Sequence, residues 1–156
     1  MGKMVEMKLN IGCGKSVVPE FDGVDIKDFG QRFVCSALEL PIENNTVDEI
    51  FSSHFLEHLN SEERIQFFNE IYRVMKNRAF AIIITPHFSH ASAFGDPTHK
   101  YPPISEWYGY YLNKAFRDRY APHLTDLDCD FDFTFSIQDV KVDGFEIKNL
   151  IVRLIK

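Results

Sequence analysis

Five of the six histidines, His54, His58, His87, His90 and His99, fall in the segments that follow the fourth and fifth apolar runs of the chain. An imidazole titrates near neutrality, so it can take a proton from an oxygen or nitrogen nucleophile. His54 leads the candidates for such a base because it stands where the fourth run ends, in SSHF. His87 and His90 follow in TPHFSH, directly after the fifth run. The same segment permits a metal set, since His87, His90, Asp96 and His99 offer imidazole and carboxylate donors suited to a borderline divalent ion. Spacing along a loop fixes no geometry, so no metal ligand is assigned. In HFLEHL, His58 has an ordinary structural role open to it, bonding the backbone and capping the next helix.

A second chemical signal lies near the start. In LNIGCGK the apolar stretch at 7–11 stops at Gly12, Cys13 and Gly14. Glycines directly after a strand let a ligand approach the backbone where a side chain would collide with it. Asp25 closes the next short run, GVDI, where a carboxylate can accept both hydroxyls of a ribose. The pattern GxxxxGK[ST] is absent, so the loop is not built to cradle a triphosphate.

The elements that must hold these residues read as alternating strands and turns. Strands are predicted at 7–11, 23–26, 32–35, 47–52 and 79–85, the last almost wholly apolar, as a central parallel strand should be. Between the last two, Phe68, Ile71, Tyr72 and Met75 recur at helical spacing. Asn60 or Ser61 would cap that helix, with Glu62 and Glu63 in its first turn and Lys76 and Arg78 at its carbonyl end. A second helix is predicted along Ile104, Trp107, Tyr108, Tyr111, Leu112, Ala115 and Phe116, entered through Pro102 and Pro103 and capped by Ser105. Off its stripe, Tyr110, together with Phe94, could line a pocket.

The tail switches to two-residue alternation in DFDFTFSI, with Phe131, Phe133, Phe135 and Ile137 on one face. Asp130 and Asp132 fall on its wet face. Asp143-Gly144 reads as a hairpin turn leading to a return strand at 145–155. The apolar phase shifts after Ile137, which predicts a bulge near Gln138 and Asp139. The least regular stretch, 86–103, follows the central strand at the end where open α/β sheets bind ligands.

Composition bounds the rest. A single domain is expected from 156 residues, 45% of them hydrophobic and 26% charged. The formal net charge of −6 disfavours nucleic acid and anionic membranes as partners. No apolar run is long enough to span a bilayer, MGKMVEMKLN lacks the apolar centre of a secretory signal, and Cys13, Cys35 and Cys129 form no CxxC pair. A cytoplasmic location with reduced thiols is expected.

From residue 8 to about 111 the chain resembles the class I S-adenosylmethionine-dependent methyltransferases, in their compact methyltransferase-domain branch. The likeness is carried in order by LNIGCGK, FDGVDI, LPIENNTVDEIFSSHFLEHL, FFNEIYRVMK, TPH and GDPTHKY. It implies a Rossmann-like α/β sheet, mostly parallel, with a C-terminal antiparallel hairpin. Gly12, Cys13 and Gly14 would pass beneath the methionine part of S-adenosylmethionine, with Asn10 at the end of the same strand, while Asp25, next to Ile26, holds the ribose. Ser36, Ala37 and Leu38 would meet the adenine edge, and Ser53 and His54 would border the sulfonium and the acceptor.

The chain departs from the family at Asn10, Ser16 and Ser36, where an acid, a glycine and an aspartate are common, and at Asn77-Arg78-Ala79, which replaces a PGG turn. SSHF stands where DNA adenine and glutamine methyltransferases carry an NPPY-type sequence. The expected reaction is therefore methyl transfer to an oxygen or nitrogen of a small-molecule acceptor. A non-catalytic cofactor-binding scaffold and a metal-dependent enzyme built on 86–103 are the alternatives.

The links after the first two strands are too short for the usual crossover helices. One sheet face should then be under-covered, which predicts a homodimer or another packed element there.

Overall fold

The computed structural model describes residues 6–156; Met1 to Val5 lie outside the described residues, and with them the opening of MGKMVEMKLN. Seven strands, β1 (Lys8–Ile11), β2 (Asp22–Asp25), β3 (Phe33–Val34), β4 (Val47–Ser53), β5 (Met75–Pro86), β6 (Asp132–Val142) and β7 (Phe145–Ile155), form one sheet. Their order is β3-β2-β1-β4-β5-β7-β6. The first five pair in parallel, and β7 joins β5 antiparallel, with β6 on its outer edge. The expected α/β sheet with a terminal hairpin is the one observed. The strand order reverses between β1 and β4, the position at which such sheets bind ligands beyond their carboxyl ends.

Helix α1 (Ser61–Val74) connects β4 to β5 and begins with a complete capping box. The Asn60 side chain accepts from the Glu63 N–H at 2.9 Å, and the Glu63 carboxylate accepts from the Asn60 N–H at 2.8 Å. Its apolar stripe, Phe67, Phe68, Ile71 and Val74, enters a core shared with Leu9, Ile11, Ile50, Ala81, Ile83, Leu150 and Leu154. The helix passes straight into β5, so Lys76 and Arg78 are strand residues and not the expected C-terminal cations. Lys156 takes that role from the end of β7, its Nζ donating to the carbonyls of Tyr72 (2.6 Å) and Met75 (2.8 Å).

After a short α2 (Ser92–Gly95), the predicted helix around 104–116 is two short ones, α3 (Trp107–Leu112) and α4 (Lys114–Tyr120). Asn113 breaks the run because its side chain accepts from the Phe116 N–H and caps α4, while Ser105 caps nothing. The predicted bulge at Gln138 and Asp139 is also absent, since β6 and β7 stay in register from Asp132↔Ile155 to Val142↔Phe145. The apolar phase changes there for another reason: β5 pairs with β7 only as far as Asn149. Beyond that point the hairpin is a free ribbon, and neither face is committed to the core.

No helix lies between β1 and β2 or between β2 and β3, as the short links require. The helices that are present bury the face bearing Ala79, Ala81 and Ile83 of β5. On the opposite face Phe51, Phe80, Ile82, Ile84, Ile151 and Ile155 remain only partly buried. Among the described residues, no helix is long and apolar enough to cross a membrane.

Candidate functional site

Two clusters meet at the carboxyl ends of β1, β2 and β4. The first is the glycine loop. Both the Gly12 and Cys13 N–H groups donate to the Val24 carbonyl, at 2.8 and 3.1 Å, which hangs the loop on β2. Gly12 has φ +68°, and a side chain there would collide with the Phe55 ring. Gly14 also has positive φ, +52°, but the space a Cβ would take there is empty. The two glycines thus answer different needs: Gly12 admits an aromatic ring of the protein, and Gly14 leaves the backbone open to a ligand.

Asp25, at the tip of β2, accepts from the Gly14 N–H at 2.9 Å and from the Lys27 N–H at 2.9 Å. These bonds fix the carboxylate and leave lone pairs on both oxygens for hydroxyl donors. Asn10 is buried, and its amide donates to the Ser16 carbonyl at 3.4 Å. Burial raises the Cys13 thiol above its ordinary pKa, and the nearby Asp25 charge adds to the effect, so it is no nucleophile at neutral pH. Ser36 Oγ accepts from the Leu38 N–H at 3.2 Å, shaping the short turn in which Ala37 is buried. Ile26 projects into solvent, 73% exposed, and Ser53 is partly buried at the end of β4.

The second cluster is built on His54. Its backbone is in the left-handed region, φ +54°, unusual for a residue with a side chain. Its Nδ1 lies 3.2 Å from Oε1 of Glu57, whose side chain is 7% exposed. A carboxylate only accepts, so the ring proton sits on Nδ1 and Nε2 carries the free lone pair of a base. His54 also borders an open cleft with Pro86, Ser92, Asp96, His99 and Asn149. Asn149 is 8% exposed, and its Oδ1 is buried without a partner among the described residues. An unpaired buried amide oxygen on a cleft wall is suited to a ligand donor.

The other histidines divide. His87 is buried, with Nδ1 2.7 Å from Ser89 Oγ and Nε2 2.9 Å from Glu106 Oε2, so both ring nitrogens are engaged. The hydrogen bond from His87 holds the Glu106 carboxyl below the usual carboxylate range. His90 Nδ1 is 2.9 Å from Ser92 Oγ. The structure therefore separates His87 and His90 from Asp96 and His99, and the loop spacing does not become a metal set. Instead His99 meets His58 and Glu57. Phe94 is exposed, and Tyr110 stacks on Trp107, Phe116 and Phe133, so neither lines the cleft at His54. A separate apolar cavity, lined by Ile65, Phe68, Tyr108, Tyr111, Leu112 and Leu127, lies on the helix side of the sheet.

Residues missed from the sequence include Glu57, which orients His54, and Arg64. Arg64 is fully buried and donates to the carbonyls of Leu56 (3.2 Å), Pro102 (2.6 Å) and Lys100 (3.1 Å). It ties the single 3-10 turn at Leu56–His58 to the far end of the 86–103 loop. An arginine on the apolar stripe of α1 was the available signal.

Comparison with known proteins agrees with this fold. Residues 15–83 match the family described as "Methyltransferase domain". A SAM-dependent methyltransferase from Archaeoglobus fulgidus superposes with a TM-score of 0.70 at 20% identity, over 99% of this chain and 87% of the other. A SAM-dependent methyltransferase from Methanosarcina mazei does so with a TM-score of 0.70 at 15% identity, over 99% and 93%. The 1,6-didemethyltoxoflavin-N1-methyltransferase of Burkholderia thailandensis, with 1,6-didemethyltoxoflavin and S-adenosylhomocysteine bound, gives a TM-score of 0.64 at 15% identity, over 96% and 70%. No curated protein matches this chain's sequence.

The family match covers residues 15–83, and the chain as a whole has the fold of these S-adenosylmethionine-dependent methyltransferases. The residues present would fit S-adenosylmethionine: open space over Gly14, a fixed carboxylate at Asp25, and the turn at Ser36 to Leu38.

Proposed function

We propose that this chain transfers the methyl group of S-adenosylmethionine to an oxygen or nitrogen of a small-molecule acceptor bound in the cleft at His54. The cofactor supplies an activated methyl on a cationic sulfur. The protein's own task is to align the acceptor and, where the nucleophile carries a proton, to remove it. One observation carries this reading: the His54 base, oriented by a buried carboxylate, opens on the same strand ends as the Gly14–Asp25 cradle. Gly12, Cys13, Gly14 and Asp25 hold the methionine and ribose parts, with Asn10 and Ser53 beside them, and Ser36, Ala37 and Leu38 meet the adenine. Asn149 Oδ1 accepts a hydrogen bond from the acceptor.

His54 in a left-handed conformation supports this assignment, since strained backbone is retained where the surroundings over-determine it, as at active sites. His87, held by Ser89 and Glu106, and His90, held by Ser92, leave the role of base to His54. Three unpaired cysteines suit a cytoplasmic location, and the net charge of −6 makes nucleic acid an unfavourable acceptor. The partly buried apolar face of Phe51, Ile82, Ile84 and Ile151 is the surface for a homodimer. Sedimentation at high protein concentration tests that: a monomer at all concentrations overturns it.

The direct test is transfer of labelled methyl from S-adenosylmethionine to a panel of small alcohols, amines and carboxylates. Turnover is expected to fall about 100-fold or more in His54→Ala, with cofactor binding unchanged. Equal turnover in that variant would remove His54 from the reaction.

A further inference from the structure

Glu57 poses a problem that the methyl-transfer reading does not solve. It is a carboxylate only 5% exposed, and among the described residues its sole ion-pair partner is His54, at 3.2 Å. Its other oxygen accepts from Thr85 Oγ1 at a long 3.3 Å. A buried carboxylate needs strong compensation, and two long contacts give little.

The missing partner is indicated by the neighbours. Glu57, His58 and His99 each offer one ligand atom, all within 4.8 Å of one another. Donors about 2.1 Å from an ion sit roughly 3 to 4 Å apart, so small side-chain rotations close the set. Both imidazoles are held in the tautomer that a metal requires. Thr98 Oγ1 gives its single proton to Asp96 Oδ1 at 2.7 Å, so it accepts from His58 Nδ1 at 3.0 Å. His99 Nδ1 lies 3.2 Å from the Ala93 carbonyl, which can only accept. In each ring the proton is therefore on Nδ1, which leaves the Nε2 lone pair for an ion; His99 Nε2 also lies 3.7 Å from Asp96 Oδ2, a further carboxylate beside the set. Outer partners that fix the tautomer in this way are a regular feature of metal-binding histidines.

The backbone that carries the three donors is also fixed in advance. Arg64 clamps Leu56, next to Glu57, to Lys100, next to His99. The Lys100 N–H donates to the Glu57 carbonyl at 2.8 Å, a second tie between the same segments.

We propose that Glu57, His58 and His99 bind one borderline first-row divalent ion, of the zinc, cobalt, manganese or iron(II) class, at the edge of the cleft shared by His54 and Asn149. Two histidines and one carboxylate leave coordination positions open. The ion would take an acceptor oxygen there and orient it toward His54. The site stands on side-chain geometry; only its role toward the acceptor rests on the methyl-transfer reading.

The test is titration of the metal-free full chain with cobalt(II), followed by visible absorption, with competition by zinc. One equivalent should produce d–d bands that zinc abolishes. His58→Ala and His99→Ala should each weaken binding at least 30-fold, and Thr98→Val, which keeps all three donors, about 10-fold. His123→Ala, outside the cluster, should bind as the parent does. Circular dichroism distinguishes a lost site from a lost fold, and Thr98→Val reads the site without touching a ligand. No cobalt or zinc binding at millimolar ion, or binding indifferent to His58→Ala and His99→Ala, overturns the proposal. S-adenosylhomocysteine binding measured on the same samples separates the two readings: metal binding without it would sink the methyltransferase reading and leave this site in place.

Discussion

The two halves of the sheet solve the same problem differently. From β4 onward the strands are long, α1 covers them, and buried charge is tied to backbone carbonyls, as Arg64 is to Leu56, Lys100 and Pro102. On the other side β1, β2 and β3 have four, four and two residues, and the links between them are loops. Those loops are held by hydrogen bonds such as Gly14 N–H to Asp25, Cys13 N–H to Val24 and the Gln31 amide to the Asp25 and Lys27 carbonyls. Stability is concentrated in the helix-backed half. The proposed cofactor cradle sits in the half with least packing, where backbone groups are accessible to a ligand.

Substitutions should divide along the same line. The largest loss of stability is expected for Arg64→Ala, about 3–5 kcal/mol, because the Leu56, Lys100 and Pro102 carbonyls lose their donor and a cavity opens at a fully buried side chain. Urea unfolding measures it, and a loss under 1 kcal/mol would mean that water replaces the guanidinium. Gly12→Ala follows at about 2–4 kcal/mol, from positive φ plus collision with Phe55. Combining it with Phe55→Ala should recover at least about 1 kcal/mol in a double-mutant cycle; strict additivity would show that the ring is not the obstacle.

Glu70→Gln should cost about 1–2 kcal/mol at pH 7. Burial raises the Glu70 carboxyl, but hydrogen bonds from Arg73 and the Leu40 N–H outweigh this and hold its pKa below the ordinary value. A lowered folded-state pKa stabilises fully above the unfolded value, about 4.3, and that stability is lost as pH falls through the folded one. The gap between parent and variant should therefore close under acid. A gap constant from pH 7 to pH 3 would contradict the linkage. Asn60→Ala, which removes one arm of the capping box, should cost about 1 kcal/mol.

How much of this was legible in the sequence follows the same division. Strands, α1 and the hairpin announce themselves because period and caps are local: Asn60 with Glu63, and Asp143-Gly144. Missing crossover helices were legible too, since seven residues between β2 and β3 leave no room for one. The break at Asn113 was not, because an amide on a helical stripe signals a cap only once the chain has turned there. Nor could spacing show that Lys156 would reach the end of α1, or that His99 would fold back onto His58. The first contact joins the two ends of the fold, and the second depends on the path of 86–103, which Arg64 sets from another element.

The central claim is that the Gly14–Asp25 cradle holds the cofactor. Isothermal titration of S-adenosylhomocysteine into the parent protein and Asp25→Ala tests it most directly. The account predicts saturable one-to-one binding in the micromolar range, lost in the variant, while its urea midpoint changes little because Asp25 holds only two backbone N–H groups. No heat at millimolar ligand, or equal affinity in Asp25→Ala, would contradict it.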